Sequence, residues 1–538
     1  MSISQHHAIV LDGVGLEWPD GTVALDGLDA AFGTGRTGLI GANGTGKTTL
    51  LRLILGELEP SAGTIAVSGS VGYLPQQLSL RTEDTVAALL GVRERLDALR
   101  AIEAGDASPE RFDALADDWD VEARAEAALD RVGLAGIPLD RPVGALSGGE
   151  TVLIALIGLQ LAGHDVLLLD EPTNNLDRRA RRLLHDLISS WRGTLLVVSH
   201  DVELLNRMDD TAELLDGAIA VFGGPYDEYR EHVEREQQAA EQALRTAEQT
   251  LKTERRQRIE AQTKLARRQR YARTDFENKR KPKMIMNLRK GEAQVSAGKL
   301  RGRHDARVED ARAEVDEQAA RLRRDSRIRI ELPETAVPAS RRLAELEDAH
   351  GHRFVLQGPE RVALTGPNGI GKTRLLATLF DAELREAGAP RAVPRTGRIG
   401  LLPQRLDHLD DGESILATIA AAAPEASEHE IRADLARFLF RGDRIRQRVG
   451  DLSGGERFRV ALARLLLARP AHQLLVLDEP TNSLDLPSVD AFVSALEGYH
   501  GGLLVVSHDE AFLARLGIGT WLELDEDGLR ERGPDGRG

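Results

Sequence analysis

The chain contains no cysteine in 538 residues. Disulfides and cysteine-ligated zinc are therefore excluded, and the absence fits a reducing compartment. No apolar run approaches the roughly 20 residues needed to span a bilayer. The start, Met-Ser-Ile-Ser-Gln-His-His, has no signal-peptide pattern, so a soluble, cytoplasmic chain without a membrane domain is expected. The formal charge of −16 would by itself argue against a nucleic-acid binder.

What the chain does have is a repeat. Gly41-Ala-Asn-Gly-Thr-Gly-Lys-Thr48 and Gly366-Pro-Asn-Gly-Ile-Gly-Lys-Thr373 both fit G-x-x-x-x-G-K-[ST]. In such loops the glycines (Gly41, Gly44, Gly46; Gly366, Gly369, Gly371) let backbone N–H groups approach phosphates. Lys47 and Lys372 reach the terminal phosphates, and the hydroxyls of Thr48 and Thr373 ligate Mg²⁺. Asn43 and Asn368 lie inside the loops, and Thr49 follows the first. Leu39 and Ile40, and Val362 to Leu364, supply an apolar strand before each loop; Leu50 to Leu55 and Leu375 to Leu379 begin a helix after it.

Further along, Val166-Leu-Leu-Leu-Asp-Glu171 and Leu474-Leu-Val-Leu-Asp-Glu479 read as apolar strands ending in carboxylates. Adjacent strand residues point to opposite faces, so Asp170 and Asp478 could turn toward Mg²⁺ while Glu171 and Glu479 face an attacking water. A glycine-rich turn that binds nothing, or carboxylates that merely cap a strand, would explain one copy. Neither explains two at nearly the same spacing.

The remaining motifs resemble ATP-binding cassettes. Leu146-Ser-Gly-Gly-Glu150 (Ser147, Gly148, Gly149, Glu150) and Leu452-Ser-Gly-Gly-Glu456 (Ser453, Gly454, Gly455, Glu456) are similar to that family's signatures. Gln76 and Gln404, each after Leu-Pro, resemble the glutamines that sense γ-phosphate and metal. His200 and His508, each in Val-Val-Ser-His-Asp, resemble the switch histidines. The implied fold is α/β: two P-loop cassette domains, 1–228 and 333–538, joined by a helical linker, 229–332.

The linker is rich in Glu, Gln, Ala and Arg, with no proline before Pro282. Ala240, Leu244, Ala247 and Leu251, then Val308, Ala311, Val315, Ala319 and Leu322, recur at helical spacing and predict two amphipathic helices facing each other. A helix from about Glu231 to Arg270 would be roughly 60 Å long, so an antiparallel hairpin is expected. Its turn is expected between Tyr271 and Gly298, where Pro282, Gly291 and Gly298 interrupt the pattern. From Lys264 to Arg303 there are 14 basic residues against Asp275, Glu277 and Glu292. Tyr271, Phe276, Met284, Ile285 and Met286 interleave with those cations, a mixture suited to unpaired bases and phosphates. Arg273, Lys279, Arg280, Lys281, Lys283, Met284, Met286, Arg289 and Lys290 are the candidate RNA contacts. For the charges alone, a solvated coil is the plainer reading.

Tandem cassettes, no membrane domain and a long charged linker resemble the ABC-F class of ribosome-associated ATPases. In that family the linker enters the ribosomal exit site near the peptidyl-transferase centre and contacts ribosomal RNA and tRNA. Glu228 to Pro333 would be that linker, entered through Gly223-Gly-Pro-Tyr-Asp-Glu-Tyr229. The family holds housekeeping translation factors and antibiotic-resistance proteins. The stretch from Gln76 to Ser147 is only about 22 residues longer than that from Gln404 to Ser453, and about 30 residues follow His508. A short insertion and no C-terminal extension resemble the resistance group. The rival readings are the ATPase pair of a membrane transporter, which needs a separate membrane partner, and a chromosome-organising ATPase, which needs cysteine modules or a much longer coil.

Cassettes work head to tail, so the resemblance implies a monomer with two interfacial sites. Ser453 to Glu456 would close over ATP on Lys47, and Ser147 to Glu150 over ATP on Lys372. Thr48, Gln76 and Asp170, and likewise Thr373, Gln404 and Asp478, would hold Mg²⁺. Glu171 and Glu479 would polarise water, with His200 and His508 on the γ-phosphate. Trp18 stands where the family has an adenine-stacking aromatic, although an ordinary core position suits it equally. The halves are not equivalent. Arg459 keeps the cation that often follows the signature, whereas Leu153 replaces it, and Leu343 to Phe354 is too short for a whole leading strand and aromatic loop. Unequal turnover follows: the Glu171→Gln and Glu479→Gln single variants should retain different ATPase rates, and equal rates would refute it.

Overall fold

The computed structural model describes residues 7–76, 78, 83–174, 176–215, 217–277, 283–320, 332–386, 388–404, 406–482 and 484–533. Two compact units emerge: Met1–Tyr226 together with Ser326–Gly538, and Asp227–Asp325.

The first unit is built twice on one plan. In the first cassette a six-stranded sheet runs in the order Val71–Leu74, Val166–Asp170, Thr194–Val198, Gly35–Ile40, Asp210–Leu215, Ala218–Phe222. All neighbours are parallel except the last pair. The second cassette repeats the order with Ile399–Leu402, Leu474–Asp478, Gly502–Val506, Arg361–Thr365, Thr520–Asp525 and Gly528–Arg532. Each also carries a three-stranded antiparallel sheet, its central strand being His7–Glu17 or Arg342–Glu347.

Strand alternation splits each core into two layers. Leu167 and Leu169 face a cluster with the helix Gly148–Ala162, while Val166 and Leu168 pack with Ile9, Leu28 and Leu51 on the other side. Leu475 and Leu477, against Leu474 and Val476, divide the second cassette in the same way. Such two-sided burial requires the continuous apolar runs seen in the sequence. The registers Leu39↔Val198 and Asp170↔Val198 bring the phosphate loop, the carboxylates and the switch histidine to one edge of the sheet. That carboxyl edge is where parallel α/β sheets hold ligands.

The second cassette's leading hairpin departs from the sequence expectation in part. Arg342–Glu347 and Arg353–Gln357 do pair, so the leading strand is present, but at 6 and 5 residues against 11 and 11 in the first cassette. Its five-residue turn, 348–352, repeats the backbone hydrogen bonds of the turn 18–22, with Asp348 where the first cassette has Trp18. There the buried Asp348 accepts hydrogen bonds from the N–H groups of His350, His352 and Leu529.

In the second unit the helices run Tyr226–Glu277 and Lys283–Ala320. The first is 52 residues, about 78 Å at 1.5 Å per residue. Gly291 and Gly298, expected in the turn, lie within the second helix. A helical glycine costs about 1 kcal/mol, which the surrounding Lys, Arg, Ala, Gln and Leu offset. Pro282, the third residue expected to interrupt the pattern, lies outside the described residues. Ala243 and Ala247 share a cleft with Ala311 and Glu314, and Arg258 pairs with Asp305 at 3.6 Å, so the helices are antiparallel. Leu322, Lys279, Arg280 and Lys281 lie outside the described residues. So do the side chains of Arg273, Lys283, Met284, Met286, Arg289 and Lys290, whose backbone is helical.

The second cassette's core is anchored by Phe492, fully buried, edge-on to Phe458 at 5.1 Å and stacked on Phe512 at 5.7 Å. Phe492→Ala should cost about 3–5 kcal/mol, read as a lower denaturant midpoint; a loss under about 1 kcal/mol would show that the site collapses around the cavity.

Candidate nucleotide sites at the two sheet edges

Each phosphate loop begins with a glycine that nothing else could replace. Gly41 has φ 154° and Gly366 φ 145°, and a Cβ on either would strike the carbonyl oxygen of Leu214 or Leu524 from the neighbouring strand. The loop then turns into the helix Lys47–Ile54 or Lys372–Ala377. Lys47 Nζ donates to the carbonyls of Gly41 at 2.7 Å and Ala42 at 2.9 Å; Lys372 Nζ donates to Gly366 and Pro367 at the same distances. Burial lowers the pKa of both lysines, against the pull of Glu171 and Glu479.

A cavity of about 490 Å³ opens over the first loop. Its lining brings together Trp18, Asn43, Gly44, Gly46, Lys47, Thr48, Thr49, Gln76, Asp170, Glu171 and His200. Trp18 lines the cavity and also packs, half-buried, on the core edge. Thr48 Oγ1 donates to Asp170 Oδ2 at 2.8 Å, and Thr373 makes the same bond to Asp478. In the second site His508 Nε2 lies 3.3 Å from Lys372 Nζ and 3.1 Å from Asn368 Oδ1. Gly369 and Gly371 hold φ 79° and 101°. Gln404 lies two residues after Leu402, which pairs with Leu477 next to Asp478.

Glu171 and Glu479 adopt left-handed backbone, φ 49° and 46°. For a residue with a side chain this costs of order 1–3 kcal/mol. Their N–H groups are fixed by the carbonyls of Val198 and Val506, at 2.8 and 2.9 Å. His200 Nε2 stands 3.0 Å from Glu171 Oε1 and His508 Nε2 3.4 Å from Glu479 Oε1, off the direction a hydrogen bond needs, so both carboxylate oxygens are buried without a hydrogen-bond partner. Burial pushes Glu171 up to about 8 and Glu479 to about 7, and drops both histidines to about 4.

Asp478 Oδ1 is likewise buried and unpartnered. These orphaned oxygens, beside a threonine hydroxyl and a lysine, fit a hydrated Mg²⁺ bound with phosphate. Such a cation uses one or two carboxylates rather than a dedicated cage. No cluster of three or more histidine, aspartate or glutamate ligands occurs among the described residues.

The signatures have a second job. Ser147 N donates to Glu150 Oε2 at 2.7 Å and Glu150 N to Ser147 Oγ at 3.2 Å; Ser453 and Glu456 repeat this. Each signature is thus a capping box at the start of a helix, Gly148–Ala162 or Gly454–Leu466, whose positive end suits a phosphate. Ser453, Gly454, Gly455 and Glu456 are not in the first cavity's lining. The opposite cassette contributes other residues instead: Asn482 lines the cavity, and Asp485 Oδ2 accepts from Asn43 N at 2.6 Å. Sequence reasoning missed these, although Thr173-Asn174-Asn175-Leu176-Asp177 and Thr481-Asn482-Ser483-Leu484-Asp485 are a visible repeat. Leu153 is buried in its own core, whereas Arg459 lies over the Phe440 ring at 5.6 Å.

A sequence profile of the family described as ABC transporter matches residues 26–174 and 350–482, one match on each cassette. The tylosin resistance ATP-binding protein TlrC of Streptomyces fradiae is 34% identical over 98% of this chain and 99% of its own. The energy-dependent translational throttle protein EttA of Mycobacterium tuberculosis is 29% identical over 92% of this chain and 87% of its own. The chain belongs to the ABC-F family of ATP-binding cassette proteins. Its paired cassettes make this ABC-F protein an ATP hydrolase. Solved structures of the RNase-L inhibitor (TM-score 0.53, 17% identity, 98% of this chain and 89% of that one) and of archaeal ABCE1 with Pelota (0.55, 19%, 97% and 79%) share the fold. No helix among the described residues is long and apolar enough to cross a membrane.

The raised carboxyls give a sign to the pH dependence. Below about 7 to 8 they hold protons and cannot take one from water. The kcat/KM for ATP, which reports the free protein, should climb with pH through that window. The histidines, neutral down to about 4, should add no second limb there. A profile already flat at pH 6 would contradict the burial argument.

Proposed function

We propose that this ABC-F protein binds ATP at both sheet edges, engages the ribosome in the ATP-bound state, and acts through its linker near the peptidyl-transferase centre to protect translation from an antibiotic. ATP lies along each phosphate loop, with its phosphates on the loop N–H groups and on Lys47 or Lys372. Trp18 takes the base at the first site. Thr48, Asp170 and Gln76, and Thr373, Asp478 and Gln404, would hold Mg²⁺, which would neutralise phosphate charge when bound. Glu171 and Glu479 orient and deprotonate water, while His200 and His508 face the γ-phosphate. Ser147 to Glu150 and Ser453 to Glu456 close over the opposite nucleotides through their helix N-termini.

The observation that supports the ribosomal reading is the helix pair joining two cassettes, with 14 basic residues between Lys264 and Arg303 in a chain of net charge −16. An acidic body and one basic segment confine contact with nucleic-acid phosphates to that segment. Arg273, Lys279, Arg280, Lys281, Lys283, Met284, Met286, Arg289 and Lys290 are the residues assigned to ribosomal RNA and tRNA. The similarity to a tylosin resistance protein along nearly the whole chain favours protection, and the similarity to a translational throttle protein supports the second reading, a housekeeping translation factor. Both readings place the protein in the cytoplasm.

The Glu171→Gln, Glu479→Gln double variant should lose at least about 100-fold in ATPase rate and stay on ribosomes with ATP. Pelleting that ignores ATP would end the ribosomal reading. Susceptibility to a panel of large-subunit inhibitors together with tylosin, with and without expression of the chain, separates the two readings. Protection against none selects the housekeeping one.

A further inference from the structure

The two cassettes exchange aspartates symmetrically and one arginine asymmetrically. Asp177 and Asp485 each cap their own helix, Arg178–Ser189 and Leu486–Glu497, by accepting from Ala180 N and Ser488 N at 2.9 Å. Each also acts on the opposite cassette: Asp485 accepts from Asn43 N, and the Asp177 charge is felt by Lys372 and His508. One helical turn on, the match ends. The fourth residue after Asp177 is Arg181, whereas the fourth after Asp485 is Val489, buried in its own core.

Arg181 crosses between cassettes. Its Nη1 donates to the carbonyl oxygen of His508 at 3.3 Å, and its Nε lies 3.5 Å from Asp201 Oδ2, next to the first switch histidine, His200. The side chain is 14% exposed, so the guanidinium works largely out of water. Asp201 is itself buried, held by His185 Nε2 at 3.2 Å, and His185 Nδ1 lies 3.4 Å from Glu203. Arg178, a turn earlier, pairs with Glu510 beyond the second switch. Burial dominates the raised carboxyl of Glu479, and the Arg181 charge is among the influences pulling it back. The guanidinium therefore connects the residue after one switch histidine to the backbone of the other.

We propose that Arg181 is a positioning residue for the second ATP site, a one-sided tie by which the first cassette, through Asp201, sets the backbone of His508. Among the described residues the first site has no such arginine, and Val489 stands in the matching place. A bound γ-phosphate at the second site thus meets a histidine whose carbonyl is fixed from across the interface, and loss of that tie loosens the second site in preference to the first.

The test is release of trapped ATP. It rests on the proposed roles of Glu171 and Glu479, by which Glu479→Gln retains labelled ATP at the second site and Glu171→Gln at the first. A hydrogen bond to a charged donor supports an expected change of about tenfold. Arg181→Val, which copies the other cassette, should speed release about tenfold with Glu479→Gln and less than about twofold with Glu171→Gln. Arg181→Lys, which keeps a cation, should show the same asymmetry at smaller size and decides the matter if Arg181→Val does not fold. Equal acceleration in both backgrounds, or none in either, overturns the role of Arg181. If neither Glu→Gln variant retains ATP before Arg181 is altered, the glutamate assignment itself has failed, and this inference with it.

Discussion

Both cassettes depend on an unfavourable burial of charge at the carboxyl edge of the sheet. Glu171 and Glu479 sit at the ends of strands buried on both faces, in left-handed backbone, with carboxyls pushed far above the usual range. Lys47 and Lys372 fold back onto their own loop carbonyls, and burial lowers them too. Ionisable groups of opposite kind are thus held near each other without a completed network, an arrangement that phosphate and a divalent cation satisfy. The strain is held by the strand ladder: the carbonyls of Val198 and Val506 fix the glutamate N–H groups wherever the side chain would prefer to go.

That constraint explains the layering. The two-sided core orients the strands so that one edge receives phosphate loop, carboxylates and switch together, and the leading antiparallel sheet brings Trp18 over the first loop. The second cassette keeps the edge but shortens the leading hairpin, and the buried Asp348 stands at the turn position that Trp18 holds in the first. The sites therefore share their phosphate chemistry and differ in what lies beyond the phosphates. Differences at the base, after the signature and at Arg181 against Val489 all point the same way, toward two sites with distinct duties.

The linker obeys a different physics. With little apolar surface, its helices rely on propensity, on i,i+4 pairs such as Arg230–Glu234 and Arg245–Glu241, and on a narrow seam of alanines. Gly291 and Gly298 are absorbed into the second helix because neighbouring residues favour helix.

Much of this protein was legible in the sequence, because phosphate chemistry demands fixed residue types at fixed spacing. The two loops, the carboxylate pairs, the glutamines and the histidines announce themselves, and strands buried on both faces must be continuously apolar. The helical seam was legible through its period. What the sequence did not reveal depends on distance across the fold: the positive φ of Glu171 and Glu479, the capping of each signature helix by its own glutamate, and the reach of Asn482, Asp485 and Arg181 into the opposite cassette. The physical reason is that a motif encodes what a segment does to a ligand or to itself. Contacts between residues hundreds of positions apart, such as Arg181 and His508, exist only once the two cassettes have come together.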